Sequence, residues 1–177
     1  MKLRLLALFA FATAGLLFFA ASHNANAATT ITPEVIARVK SRCVENQATL
    51  NRLHQTDAFL RNDRGNLYKE ISDKLMVPFN RRVASNQLDA GNLLTITAEY
   101  NSQYNKFYAT YIDYDNALSK VLDIDCSKEP VAFYNALLDA RQKREELSKI
   151  NTAIKDLVWQ YGKSFGEFKA KYEKEHA

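Results

Sequence analysis

Three histidines, two cysteines and 20 acidic residues are the groups in this 177-residue sequence whose spacing could do chemistry. Glu173-Lys174-Glu175-His176 has the E-x-x-H spacing that di-iron bundles use on two facing helices, but it occurs once, in a charged tail. Asp123-Ile124-Asp125-Cys126-Ser127 begins like a calcium loop, with oxygen ligands at the first, third and fifth positions. It then fails, because Lys128 stands where the turn needs glycine and Tyr134 where the bidentate glutamate belongs. His54 adjoins an apolar seam as a boundary residue, and no C-x-x-C-H offers haem attachment. A nucleophile elbow, a phosphate-cradling glycine loop and a Ser/His/Asp set in recognisable context are all missing from the sequence. The expectation is a protein with no catalytic residue, no metal ligands and no cofactor.

Two features remain. Cys43 and Cys126 lack the C-x-x-C spacing of a redox pair, and an even cysteine count in an exported chain predicts a structural disulfide. Tyr100, Tyr104, Tyr108, Tyr111 and Tyr114 crowd one segment with Phe107 among them. Helical spacing makes them a core seam whose hydroxyls emerge at an edge. The same residues would serve as an aromatic recognition surface for a protein or glycan, since tyrosine is favoured at interfaces.

The elements that position these residues are helices. Only five glycines and three prolines punctuate the chain, too few for a strand-and-turn architecture. Thr32-Pro33-Glu34 supplies an N-cap, a first-turn proline and a first-turn acid. From there a seam runs through Ile36, Val39, Cys43, Asn46, Leu50, Leu53, Asp57 and Leu60, lapses near Gly65, and resumes at Leu67 through Val83. A kink or break is expected near Gly65 or Pro78, where proline removes an internal hydrogen bond. Residues 89–92 read as a turn, and the second seam runs from Leu93 to Val121. After a second connection capped by Ser127, a third seam runs from Phe133 to Tyr172, with Gly162 and Gly166 marking an end prone to fray. The predicted fold is all-α: an elongated, antiparallel, coiled-coil-like three-helix bundle. Turning such a hairpin near residue 88 leaves the two cysteines out of register by seven positions, which a bend in the first helix must absorb.

The amino terminus carries Lys2 and Arg4, an uncharged apolar run from Leu5 to Ala21, and Ala25-Asn26-Ala27, a small-x-small cleavage site. Residues 1–27 are read as a signal peptide and residues 28–177 as one helical-bundle domain, exported to the periplasm, the cell surface or the medium. Membrane attachment is expected only if the apolar segment stays as an anchor. Without Lys2 and Arg4, 22 basic residues face 20 acidic ones, a mixed pattern that excludes a nucleic-acid binder. The short clusters Arg81-Arg82 and Arg141-Lys143-Arg144 read as exposed, or ion-paired within their own helices.

Cys43-Val-Glu-Asn46, Leu67-Tyr-Lys-Glu-Ile-Ser-Asp-Lys-Leu-Met-Val-Pro78 and Asp123-Ile-Asp-Cys126 followed by Val131-Ala-Phe-Tyr134 resemble segments of uncharacterised exported helical proteins of small-genome bacteria. That resemblance spans most of the exported chain and implies no activity. In outline, the chain is also similar to trimeric periplasmic holdase chaperones, although their strand-rich trimerising segment is reduced at most to Ala28-Thr29-Thr30-Ile31-Thr32. The expected function is a non-enzymatic interaction module whose partner is another protein or an envelope component. The alternative is a holdase for unfolded exported proteins. Heptad-like seams complete their cores by folding back or by oligomerising, so the oligomeric state stays open.

Overall fold

The computed structural model describes residues 31–177, so the signal peptide assigned to residues 1–27 lies outside the described residues. Those residues are all-helical, with four helices packing together and no strand among them. The elements are α1 (Pro33–Ser41), α2 (Cys43–Glu70), a π-helical segment (Ile71–Met76), α3 (Val77–Ser85), α4 (Leu93–Leu122) and α5 (Pro130–Glu175). The Thr32 hydroxyl accepts from the Val35 amide at 3.4 Å and caps α1.

The first arm, α1 to α3, is interrupted elsewhere than at Gly65, which lies inside α2 without a break. Gly65 is buried, and a Cβ there would sit 2.8 Å from the Tyr108 hydroxyl, so glycine serves a close approach of α4 rather than a turn. The interruptions are at Arg42, between α1 and α2, and at the π-helical turn that leads into Pro78. Proline cannot donate to the helical ladder and crowds the preceding turn, and a locally wider turn accommodates both.

That wide turn also resolves the register of the cysteines. From the Tyr68–Tyr100 hydrogen bond to the disulfide, the first arm runs 25 residues (68 to 43) and α4 with its connection runs 26 (100 to 126). From the same bond to the Asn80–Thr97 bond, the first arm runs 12 residues (68 to 80) and α4 only three (100 to 97). The excess is therefore confined to the π segment and α3, which stay bonded to α4 through Ser72 and Asn80 and also reach α5 with their side chains. There Phe79 meets Phe165 and Phe168 at centroid distances of 4.9 and 5.5 Å. These contacts, with a Lys171–Asp89 ion pair at 3.1 Å, accompany a helix that continues past Gly162 and Gly166 to Glu175 instead of fraying.

Two clusters form the core. One gathers Tyr68, Met76, Tyr100, Phe107, Tyr111 and Tyr114 around Leu118 and Ile154. The other surrounds the disulfide with Val39, Ala117, Val121, Phe133 and Ala140. Cys43 and Cys126 are bonded, with Cα atoms 5.5 Å apart. Ser127 does not cap α5. The Asp125 carboxylate instead accepts from the amides of Ser127 and Lys128, and Glu129 precedes Pro130 as the capping position.

Candidate binding cleft

The five tyrosines of α4 do not form one surface. Tyr100, Tyr111 and Tyr114 are buried, Tyr104 is half-buried against the same core, and Tyr108 is exposed at 39%. Each hydroxyl solves a different problem of burial. Tyr100 donates to the Tyr68 carbonyl at 2.9 Å. Tyr114 donates to the Asp57 carboxylate at 2.6 Å, and Arg144 Nε approaches the same oxygen at 3.4 Å. Asp57, with Asn46, interrupts the first seam and Arg144, with Asn151, the third, so two seam irregularities meet at one tyrosine. Arg144 is thus paired across helices rather than within its own.

Tyr111 Oη is buried and has no hydrogen-bond partner. The Arg61 guanidinium lies over its ring, 4.9 Å from the centroid. A buried hydroxyl without a partner costs about 1–3 kcal/mol. Tyr111→Phe is therefore expected to raise stability by about 1 kcal/mol in urea unfolding, whereas Tyr100→Phe, which loses a made bond, is expected to lower it by a similar amount. Equal losses in the two variants would contradict the assignment.

Burial holds the Tyr100 and Tyr114 phenols well above the ordinary tyrosine value, the Asp57 bond adding to it at Tyr114, and pushes Tyr104 up to about 12. Tyr68, Tyr111 and Tyr161 are raised for the same reason. A phenol raised in the folded state keeps its proton longer there than in the unfolded chain. Its contribution to stability is complete below the unfolded value near 10 and declines as pH climbs through the folded value. The protein is expected to unfold cooperatively above about pH 10. Phenolate absorbance should rise together with the loss of helical circular dichroism; phenolate formation well before the helix signal falls would refute this.

Between the first arm and α5 runs a cleft with two adjoining cavities. The first has a volume of about 590 Å³ and a largely apolar lining that includes Val35, Leu50, Leu53, Leu118, Phe133 and Leu137. The second, about 670 Å³, is floored by Phe107 and Tyr111 and walled by Arg61, Arg64, Arg141, Arg144 and Lys155. Arg141 and Arg144 border both cavities. Both volumes lie in the range of small-molecule sites.

The second cavity is cationic because its acids are engaged. Asp57 is held by Tyr114 and Arg144, and Glu145 pairs with Lys149 at 3.0 Å. Among the described residues, Arg61, Arg64, Arg141 and Lys155 have no carboxylate within salt-bridge distance. Sequence reading reached Arg141 and Arg144 only as a local cluster. Arg61 and Arg64 lie about 80 residues away, and only the pairing of arms brings them opposite.

The remaining motifs are structural in geometry. His54 Nε2 lies 3.0 Å from Asp115 Oδ1, linking α2 to α4. His176 stacks on Tyr172 and contacts its carbonyl at 2.8 Å. Among the described residues, no group of three or more His, Cys, Asp or Glu side chains is placed to hold a metal ion, and no helix is long and apolar enough to cross a membrane. The bonded cysteine pair fits an oxidising, extracytoplasmic location. No protein-family model, curated protein or solved structure matches the chain.

Proposed function

We propose that the chain is an exported, non-enzymatic interaction module of the periplasm, cell surface or medium, built as an elongated bundle of three antiparallel arms, and that the cleft between the first arm and α5 holds its partner. The observation that carries this reading is the cleft itself, a mainly apolar cavity adjoining one whose wall cations, Arg144 apart, have no carboxylate within salt-bridge distance. A burial of apolar surface flanked by unspent charge is what recognition of a protein or an envelope component requires. The test is site-specific photo-crosslinking in the producing cell, with the probe at Thr49 in the cleft wall and, separately, at Glu173 near the end of α5. A discrete adduct from Thr49 alone is expected. No adduct, or the same adduct from both positions, overturns the reading.

A second reading, a holdase for unfolded exported clients, is favoured by large apolar side chains left in solvent. Val44, Phe59 and Trp159 are exposed at 82%, 74% and 69%. It requires a stable dimer or trimer of oxidised residues 28–177 by light scattering, and suppression of client aggregation. A monomer that leaves aggregation unchanged removes it.

A further inference from the structure

We infer that the cleft binds a single-chain anionic amphiphile, its alkyl chain in the apolar cavity and its carboxylate or phosphate head between Arg61, Arg64 and Arg141. The inference rests on the cleft being the binding site, and it names the ligand's chemistry. Three independent observations lead to it.

The first is the division of the cleft. Val35, Leu50, Leu53, Leu118, Phe133 and Leu137 give the first cavity a mainly hydrocarbon surface beside Arg38, Arg42 and Glu45, while Arg61, Arg64 and Lys155 line the second alone and Arg141 and Arg144 are shared by both. The Asp57–Arg144 pair lies where the two cavities adjoin. An alkyl chain gains favourable transfer energy with every methylene it buries, so a chain that fills the first cavity carries its head to the edge of the second.

The second is the state of the cations. Arg61, Arg64 and Arg141 come from two helices far apart in sequence, line one cavity, and have no carboxylate within salt-bridge distance among the described residues. Converging guanidiniums repel one another. An anionic head relieves that repulsion and accepts the forked hydrogen bonds that guanidinium presents.

The third is Tyr111. Its hydroxyl is buried beside these cations with no partner, and Arg61 covers its ring. An anionic head that draws Arg61 off the ring would give the Tyr111 hydroxyl a partner to donate to. One motion then repairs an unsatisfied group and completes an anion site.

The experiment is titration calorimetry of the oxidised protein with dodecanoate and with dodecyl phosphate, both kept monomeric. Dodecyl trimethylammonium, dodecyl maltoside and inorganic phosphate serve as controls. One-to-one binding of at least one anionic amphiphile is expected, at least tenfold tighter than the cationic and neutral ones. Dodecanoate against dodecyl phosphate tells a fatty-acid head from a phospholipid-like one. The double variant Arg61→Gln/Arg141→Gln should lose at least tenfold for the anions while keeping its helical signal and its weak affinity for the maltoside.

Equal binding of all three head classes, unchanged anion affinity in the variant, or inorganic phosphate bound as tightly as dodecyl phosphate would each overturn the inference. So would the failure of both anionic amphiphiles to bind. In that last case an adduct from Thr49 still upholds the cleft as the partner site, with a peptide or protein as its occupant, and the absence of an adduct rejects both.

Discussion

Replacing Cys43 and Cys126 together with alanine is expected to lower the unfolding free energy by about 4 kcal/mol and the melting temperature by about 10 °C. The pair is separated by 83 residues, so its bond removes a large share of the loop entropy of the unfolded chain. The double substitution leaves no lone thiol behind. Alanine also avoids burying a hydroxyl at Cys126, which is fully enclosed beside Val121 and Phe133. The comparison is a pair of thermal melts, oxidised wild type against variant, and a difference below 1 kcal/mol would show the bond to be energetically idle. Reduction of the wild type should reproduce the variant's melt.

Phe107→Ala is the second large effect, a loss of about 3–5 kcal/mol in urea unfolding. Phe107 is 1% exposed and forms edge contacts with Tyr68 and Tyr108 at centroid distances of 5.3 and 5.8 Å. It also borders Tyr111 at 6.4 Å and floors the cationic cavity. Its removal leaves a void among large rings, of which Tyr68 is held by its hydrogen bond to Asn151, so the site cannot fully collapse. Phe59, exposed at 74%, is the internal control, since Phe59→Ala is expected to change stability by less than about 0.5 kcal/mol. Comparable losses at the two positions would contradict the placement of the core.

The sequence carried the helices because periodic apolar spacing is a local signal, and the observed spans of α4 and α5 follow seams legible from Leu93 and Phe133 onward. The disulfide was legible for a different reason, an even cysteine count with no competing motif. What could not be read was whatever depends on which turn faces which. Gly65 looks like a helix break until Tyr108 is seen to approach it, and Ser127 looks like a cap until Asp125 is seen to hold the amides of Ser127 and Lys128 in a turn ahead of α5. The seam of tyrosines announced aromatic density but not its sorting into buried and exposed members. That sorting turns on partners such as Asp57 and the Tyr68 carbonyl, which lie 57 and 32 residues away. The cleft was hidden most completely. Its cations sit on two helices, α2 and α5, that are far apart in the sequence, and no local pattern marks which turns of them face each other.

The disulfide divides the chain into a closed ring, residues 43 to 126, and an open remainder that contains all of α5. Under mechanical tension between its ends, the oxidised chain can pay out only the open part. The ring withholds a contour of roughly 290 Å, taking about 3.5 Å for each of the 83 residues it spans. Because α5 is one wall of the cleft and α2, inside the ring, forms most of the other, a pull that peels α5 away opens the cleft while the α2–α4 hairpin stays covalently gathered. A ligand bound there would lose one wall of its site under load while the ring keeps most of the other intact.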